Sequence, residues 1–285
     1  MPIDQLENKL QNDGLTIKEF EALSRFIYSE VGIKMPLNKK TMLEARLKKR
    51  IKELGMSSYS EYSKLILNRE AAGEIFHFIN VVTTNKTDFF REPKQFDFLT
   101  GEAIPELDKL FRIGSENVLK LWSAGCSTGE EPYTLAMLLH AQLNRLRQFR
   151  IFASDVSTQV LEKASVAIYD EERVEPVPME LKRKYLLRSK SREKRLVRIV
   201  PELRRIVEFR RINFMHDDYD LRESFHVVFC RNVIIYFDRP TQESIIGKIC
   251  RQLLKGGFLF IGHSESLFNM NLPLIQVAPS IYRKV

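Results

Sequence analysis

The second half of the chain alternates short apolar runs of strand length with amphipathic segments of helical spacing, and no other feature limits its fold as strongly. The apolar runs are rich in β-branched and aromatic residues, and they lie at 118–125, 150–155, 226–232 and 257–263. The helical segments lie at 132–146, 158–169 and 241–254. This alternation predicts a parallel sheet with helices on both faces, whose ligands bind beyond the carboxyl ends of the strands.

The residues that precede this region predict helices instead. Thr16 is followed three positions later by Glu19, which is the capping box that opens a helix, and Gly32 suits the end of that helix. A second helix is predicted to end at Gly55, with an apolar stripe formed by Leu43, Leu47, Ile51 and Leu54. We therefore predict a helical N-terminal domain over residues 1–88, a connecting segment over 89–115 and an α/β domain over 116–285.

One stretch interrupts the alternation of strands and helices. Short alternating apolar and basic positions predict a small antiparallel sheet, inserted into the α/β domain at about 172–211. The apolar positions are Leu196, Ile199, Ile206, Val207, Phe209 and Ile212. Residues 171–211 contain 14 lysines and arginines but 7 acidic residues, so they carry nearly all of the net charge of +8. Such a surplus suits an acidic partner: nucleic acid, anionic lipid or an acidic protein surface.

The composition excludes several other classes of protein. No run approaches the roughly 18 apolar residues of a membrane span, and the polar N-terminus predicts no signal peptide. The three cysteines, Cys126, Cys230 and Cys250, show no metal-type spacing, and neither do the five histidines. We therefore expect reduced thiols, no metal site and a cytoplasmic location.

The turn at residues 125–129 supports two different chemistries. Its sequence, Gly-Cys-Ser-Thr-Gly, fits the G-x-S-x-G pattern of serine hydrolases. In that interpretation Ser127 is the nucleophile and His263 the base, and the acid is one of Asp217, Asp218 and Asp238. Two features weigh against it, because the upstream residues predict helices rather than strands and no glycine-rich oxyanion loop is present.

A nucleotide-type interpretation explains more of the same turn. Gly125 and Gly129 let a ligand approach the backbone, and Pro132 suits a first helical turn. Asp155 ends the next strand, where a carboxylate can accept both hydroxyls of a ribose. Glu130 at the helix start would repel a phosphate and attract an ammonium group. S-adenosylmethionine is a ligand with a ribose, a cationic amino-acid tail and no phosphate.

Six motifs in order then resemble the CheR family of chemotaxis-receptor glutamate methyltransferases. The motifs are TTNKTDFFREP, WSAGCSTGEEPY, ASDVS, RINF, FCRNVIIYFDRPTQ and GGFLFIGHSES, and the resemblance runs from about residue 16 to the C-terminus. It implies a helical N-terminal domain and a Rossmann-like class I methyltransferase domain with a small antiparallel insertion. It also implies methyl transfer from S-adenosylmethionine to glutamate side chains of chemoreceptor helices.

The resemblance further implies the residues of the site. Those that would bind the cofactor are Asn85, Thr87, Arg91, Glu130, Asp155, Asn213, Phe214, Arg231 and Asn232. Arg91 and Tyr236 would lie nearest the transferred methyl group and position the glutamate. Taken singly, these residues have plainer explanations, such as a helix cap for Asp155 or core packing for Phe214.

Receptor methylation regions are acidic helical bundles, which suggests a docking role for one basic helix face. That face is formed by Arg46, Lys48, Lys49, Arg50 and Lys52, although a solvated surface explains it equally well. The resemblance also suggests that a receptor C-terminal peptide adds a strand to the inserted sheet. The turn at 188–195 lacks the glycine that we associate with peptide-binding members, so direct docking is the alternative. We expect a monomer that binds no nucleic acid.

Two rival functions share the predicted fold. One is a methyltransferase that acts on RNA or a small molecule, and the positive charge favours RNA. No interleaved aromatic and basic residues of the kind that stack on single strands accompany that charge. The other is a non-catalytic S-adenosylmethionine sensor, against which the pair Arg91 and Tyr236 argues.

Overall fold

The computed structural model describes residues 14–113, 117–143 and 149–285. The sequence-based expectations for the polar N-terminus and for the end of the helix at 144–146 concern residues outside these ranges. By its contacts the chain divides into two compact units, Met1–Thr84 and Asn85–Val285. The described part of the first unit is helical, and the second unit contains both sheets.

The first unit contains helices α1 (Ile17–Val31), α2 (Lys40–Glu53), α3 (Tyr59–Leu67) and α4 (Ala72–Val82). The predicted capping box is confirmed, because the Thr16 hydroxyl accepts from the Glu19 N–H and the Glu19 carboxylate accepts from the Thr16 N–H. Three members of the predicted α2 stripe are fully buried, namely Leu43, Leu47 and Ile51. Leu54 was wrongly included: the helix ends at Glu53, and Leu54 is 39% exposed.

Within its described residues, the second unit is built on a seven-stranded sheet with the strand order β6-β2-β1-β7-β8-β10-β9. Its strands are β1 (Leu119–Ala124), β2 (Phe149–Asp155), β6 (Val207–Arg211), β7 (Phe225–Cys230), β8 (Leu253–Ile261), β9 (Leu274–Ala278) and β10 (Ile281–Lys284). The four predicted strands are all present, and they pair in parallel. Strands β10 and β9, at one edge, run antiparallel to their neighbours.

A second sheet has three antiparallel strands in the order β3-β5-β4. Its strands are β3 (Ile168–Asp170), β4 (Leu186–Arg188) and β5 (Leu196–Ile199). The inserted antiparallel sheet is thus present, but two assignments were wrong. Residues 207–211 form β6, which pairs in parallel with β2 in the large sheet. The helix predicted at 158–169 ends at Val166, and its last residues begin β3.

Helices of the second unit cover both faces of the large sheet. They are α5 (Pro93–Phe98), α6 (Ile104–Phe111), α7 (Glu130–Leu143), α8 (Thr158–Val166), α9 (Met179–Tyr185), α10 (Pro201–Arg204) and α11 (Arg239–Gln252). Strand β1 shows why both faces are apolar: Leu119 and Leu121 belong to one core cluster, and Trp122 and Ala124 to another. Alternate residues of a strand point to opposite faces, so the sheet separates two cores.

Membrane spans and metal clusters are both absent from the described part of the chain. Within residues 14–113, 117–143 and 149–285, no helix has both the length and the apolar character needed to cross a membrane. The same residues contain no group of three or more histidines, cysteines or acidic residues that could hold a metal ion. The three cysteines are buried free thiols.

Candidate active site

The turn between β1 and α7 lies at the carboxyl end of the central strands. The Gly125 and Cys126 N–H groups donate to the Ser154 carbonyl at 2.8 and 2.9 Å, which fixes the turn against the end of β2. Gly125 and Gly129 have φ angles of 88° and 96°. A Cβ on Gly125 would lie 2.3 Å from the Val233 side chain, so this position requires glycine for two reasons.

Asp155, the predicted ribose acceptor, is 8% exposed at the end of β2. Its two carboxylate oxygens each accept a backbone N–H at 3.0 Å, one from Ser127 and one from Ser157. Burial raises the pKa of this carboxyl, and the backbone N–H donors oppose that shift. Asp155 therefore braces the turn and the start of α8, and each oxygen keeps capacity for a further donor.

Glu130, the predicted partner of an ammonium group, begins α7 and is 1% exposed. Its Oε2 accepts the Thr128 hydroxyl at 2.6 Å, and its Oε1 accepts Arg173 Nη2 at 2.7 Å. The same Nη2 donates to the Thr87 carbonyl at 2.7 Å, and Arg173 Nη1 lies 3.1 Å from Asp88. Sequence reasoning missed Arg173, because it lies in the insertion and outside the six motifs.

The segment at residues 85–92 is held against the same turn. The Ser127 hydroxyl donates to the Asn85 carbonyl at 2.8 Å. Phe90 and Glu92, which flank Arg91, have left-handed φ angles of 55° and 59°. Such a conformation costs roughly 1–3 kcal/mol for a residue with a side chain, and it persists only when surrounding contacts impose it. The strained backbone on both sides of Arg91 therefore lowers stability and fixes the direction of this residue.

Arg231 contacts this segment, and its side chain is buried. Its Nη2 donates to the Arg91 carbonyl and lies 3.2 Å from Glu92, and its Nη1 lies 3.4 Å from Glu131. The Phe96 ring is 5.3 Å away. Burial raises the pKa of Glu131, and the charge of Arg231 opposes that shift. These contacts give Arg231 a supporting role in fixing the backbone of Arg91.

The loop after β7 carries Asn232 and Tyr236 and is organised by Glu265. This carboxylate accepts the N–H groups of Asn232, Val233 and Ile234 at 2.9 Å and of Gly262 at 2.6 Å. Asn232 has a φ angle of 57°, and Tyr236 ends the following 3₁₀ turn. Glu265 was missed as a site residue, although it lies within one of the motifs. An acidic residue just beyond a buried strand is a signal that could have identified it.

The predicted adenine residues follow β6. The Ile212 N–H donates to the Asp155 carbonyl at 3.0 Å, which brings this segment to the predicted ribose acceptor. The Asn213 side-chain oxygen accepts the Met215 N–H at 3.0 Å. Phe214 is 8% exposed and belongs to the core cluster of Trp122 and Tyr219. The buried Lys248 ammonium, also missed, donates to the carbonyls of Phe214 and His216.

The arrangement does not support the hydrolase interpretation. The Ser127 hydroxyl donates to a backbone carbonyl, and Ser127 has a left-handed φ angle of 48°. The ring of His263, its predicted base, lies 3.9 Å from Glu92. The Ser127 hydroxyl therefore holds residue 85 in place and is not aligned with a base.

The predicted docking residues belong to α2 in the first unit, where the two arginines bind other parts of the same unit. Arg46 Nη1 donates to the carbonyls of Val82 and Thr83 at 2.7 and 3.0 Å. Arg50 forms a bidentate pair with Glu74 at 2.9 and 2.6 Å. The docking role of Lys48, Lys49 and Lys52 stays a prediction. Lys49 is 87% exposed and lies 3.9 Å from Glu53.

A largely parallel sheet, a glycine turn and two buried carboxylates beside that turn, Glu130 and Asp155, form the arrangement expected of an S-adenosylmethionine-dependent methyltransferase. These groups fit that donor, since both carboxylates adjoin the glycine turn.

Comparison with known proteins identifies the family. Residues 85–282 match the family described as CheR methyltransferase, SAM binding domain, and residues 18–83 match the CheR methyltransferase, all-alpha domain. A chemotaxis protein methyltransferase from Borreliella burgdorferi is 35% identical over 98% of both chains. One from Escherichia coli is 37% identical over 90% of this chain and 87% of its own. The chain belongs to the CheR family of chemotaxis methyltransferases and uses S-adenosylmethionine.

Proposed function

We propose that this protein transfers the methyl group of S-adenosylmethionine to glutamate side chains on the cytoplasmic helices of chemoreceptors. The products are glutamyl methyl esters and S-adenosylhomocysteine. One observation carries the proposal: the backbone of Arg91 is fixed between two left-handed residues, with its carbonyl on Arg231, while its guanidinium makes a long 3.4 Å contact to the Lys86 carbonyl. A rigidly mounted arginine suits a carboxylate substrate.

The reaction asks little of the protein in acid–base terms. A glutamate side chain in water has a pKa of about 4.3, so its carboxylate is ionised at neutral pH and needs no general base. The donor supplies a methyl group that is bonded to a sulfonium sulfur. Once the methyl group is transferred, that sulfur is a neutral thioether and a good leaving group. A carboxylate oxygen forms the new bond to the methyl carbon as the carbon–sulfur bond breaks. Alignment of these three atoms, with water excluded, can supply about 7–11 kcal/mol.

The chain's own residues divide this work. Arg91 grips the substrate carboxylate, and Tyr236 positions it through its hydroxyl. Asp155 accepts the ribose hydroxyls of the donor, and Glu130 accepts its ammonium group. The family resemblance assigns six more residues to the donor, and we expect them to contact it or to support those that do: Asn85, Thr87, Asn213, Phe214, Arg231 and Asn232. Arg91 must not bind the carboxylate too tightly, because negative charge is lost in the transition state.

The partner proposal rests on charge. The lysines of α2 meet the acidic receptor bundle and increase the rate of encounter. The enzyme then acts in the cytoplasm, where the receptor's methylated helices lie. Strand β4 at the edge of the small sheet offers a place for a receptor peptide, with a groove of about 580 Å³ beside it lined by Leu186, Arg188 and Val197.

Transfer of a labelled methyl group tests the proposal. Purified protein is incubated with labelled S-adenosylmethionine and a receptor cytoplasmic fragment. We expect label that mild base releases as methanol, and no label on a fragment whose target glutamates are glutamines. Arg91→Ala should abolish transfer without a change in melting temperature. Base-stable label, or wild-type turnover by the Arg91 variant, would contradict the proposal.

A further inference from the structure

Arg173 connects the inserted sheet to residues 87–88 and to the start of α7. It lies in the 3₁₀ turn Glu171–Val174 that directly follows β3. Its guanidinium reaches Glu130 and the Thr87 carbonyl at 2.7 Å, and Asp88 at 3.1 Å. One side chain from the insertion thus joins two separate motifs of the site, residues 87–88 and the start of α7.

Glu130 needs such a partner because it is 1% exposed. A buried carboxylate is stable only when charged or hydrogen-bonding groups compensate for its lost hydration. Thr128 supplies one oxygen with a donor, and Arg173 supplies the other. The Arg173 side chain is 40% exposed, so its own charge stays partly hydrated. A second contact from β3 supports the turn, since the Tyr169 hydroxyl donates to the Thr128 carbonyl at 2.7 Å.

We infer that Arg173 is a positioning residue, through which the inserted sheet holds Glu130 and residues 87–88 in the arrangement that accepts the donor's ammonium end. The inference rests on the proposed role of Glu130. A carboxylate has about four acceptor sites, so Glu130 can accept Arg173, Thr128 and an ammonium group together. A site arranged before binding loses less free energy in ordering its groups, and Arg173 therefore acts on donor affinity.

Calorimetric binding of S-adenosylhomocysteine tests the inference without any receptor. We expect Arg173→Met to raise the dissociation constant about tenfold or more, as the loss of a charge-assisted contact does. The dissociation constant of Arg173→Lys should lie between those of the wild type and Arg173→Met, because an ammonium cannot reproduce the forked contacts. The matched control is Arg195→Met, which removes the same charge from a 71% exposed side chain that lies 3.8 Å from Glu172. The control should bind like the wild type.

Kinetics and a double-mutant cycle separate positioning from general stability. The donor KM should rise in Arg173→Met, while kcat at saturating donor stays within about twofold. In a Glu130→Gln background, Arg173→Met should raise the dissociation constant of S-adenosylhomocysteine by less than about twofold, because Arg173 acts through Glu130. Wild-type affinity in Arg173→Met, or fully additive losses, would overturn the inference.

The failure of this inference differs from that of the proposed function. Wild-type affinity in Glu130→Gln alone would remove the role of Glu130, and with it the inference. Normal binding of S-adenosylhomocysteine without any receptor methyl ester would refute glutamate methylation and leave the role of Arg173 standing. If Arg173→Met strongly lowers the melting temperature, Arg173→Lys takes its place in the binding assay and in the cycle with Glu130→Gln. Wild-type affinity in Arg173→Lys, together with additive effects in that cycle, would overturn the inference.

Discussion

Single carboxylates fix the backbone on both sides of the site. Asp155 accepts two N–H groups, and Glu265 accepts four. Hydrogen bonds to an ionised acceptor are stronger than those between neutral groups, so each carboxylate orders a loop that has no regular secondary structure to hold it. At the scale of the residue, replacing either one should therefore change the shape of a loop as well as its charge.

Asp155 gives the first prediction. Asp155→Ala should weaken binding of S-adenosylhomocysteine by about 10- to 100-fold, since hydrogen bonds to charged groups contribute roughly 1.5–3 kcal/mol. Asp155→Asn keeps the side-chain shape and one acceptor oxygen, so its loss should be smaller. Isothermal calorimetry measures both, and unchanged affinity in Asp155→Ala would refute the ribose role.

Glu265 gives the second prediction. Glu265→Gln should lower the free energy of unfolding by about 2–3 kcal/mol, because one side-chain amide cannot satisfy four N–H donors. Glu243→Gln is the control, since Glu243 accepts the N–H of Asn271 at an exposed position. Urea denaturation compares the two variants. An equal effect would show that the four bonds to Glu265 carry no special weight.

At the scale of the element, α2 divides its basic residues between structure and surface. Arg50→Met should destabilise the protein by about 3 kcal/mol, because it leaves the 6% exposed Glu74 side chain without its cation. Lys49→Met removes the same charge from an 87% exposed side chain and should change stability by less than about 0.5 kcal/mol. Melting of the full chain tests this contrast, and a larger loss in Lys49→Met would contradict it.

The elements also show how far the sequence could predict this fold. The capping box of α1 and four strands of the large sheet, β1, β2, β7 and β8, depend on local pattern, and these were predicted. Residues 207–211 were assigned to the wrong sheet, because alternation predicts a strand but not the strand with which it pairs. Arg50 was predicted to be a surface residue, since its partner Glu74 lies 24 positions away.

The site follows the same division. Motif resemblance supplied its candidate residues, and the turn at 125–129 could be interpreted from glycine and carboxylate chemistry alone. The supporting residues Arg173 and Lys248 could not, because their partners are backbone or side-chain groups distant in sequence. Only the folded chain shows that Arg231 supports the Arg91 backbone.

At the scale of the whole molecule, acid stability depends on His226, which is buried within the central strand β7. Its Nδ1 accepts the Lys120 N–H at 3.0 Å, and burial, with the charge of Lys120 adding to it, lowers its pKa from 6.5 to about 4. The unfolded chain therefore binds a proton below pH 6.5 that the folded chain refuses until about pH 4. Stability is fully present above pH 6.5 and is lost as the pH falls through this window.

We compare the free energy of unfolding of a His226 variant with that of the wild type. The buried carboxyls contribute equally to both proteins, so the difference reports on His226 alone. His226→Asn keeps an acceptor for the Lys120 N–H and does not titrate. Its stability relative to the wild type should improve by about 3 kcal/mol between pH 7 and pH 4. Urea denaturation across that range provides the measurement, and a constant difference between the two proteins would contradict the assignment.

The folded chain brings motifs from Asn85 to Glu265 to one edge of the large sheet, and donor binding there is the central claim. A crystal structure with S-adenosylhomocysteine tests it most directly. We predict the ribose on Asp155, the amino group beside Glu130 and the sulfur facing Arg91 and Tyr236. Ligand density elsewhere, or an inverted ligand with its adenine at Glu130, would contradict the account.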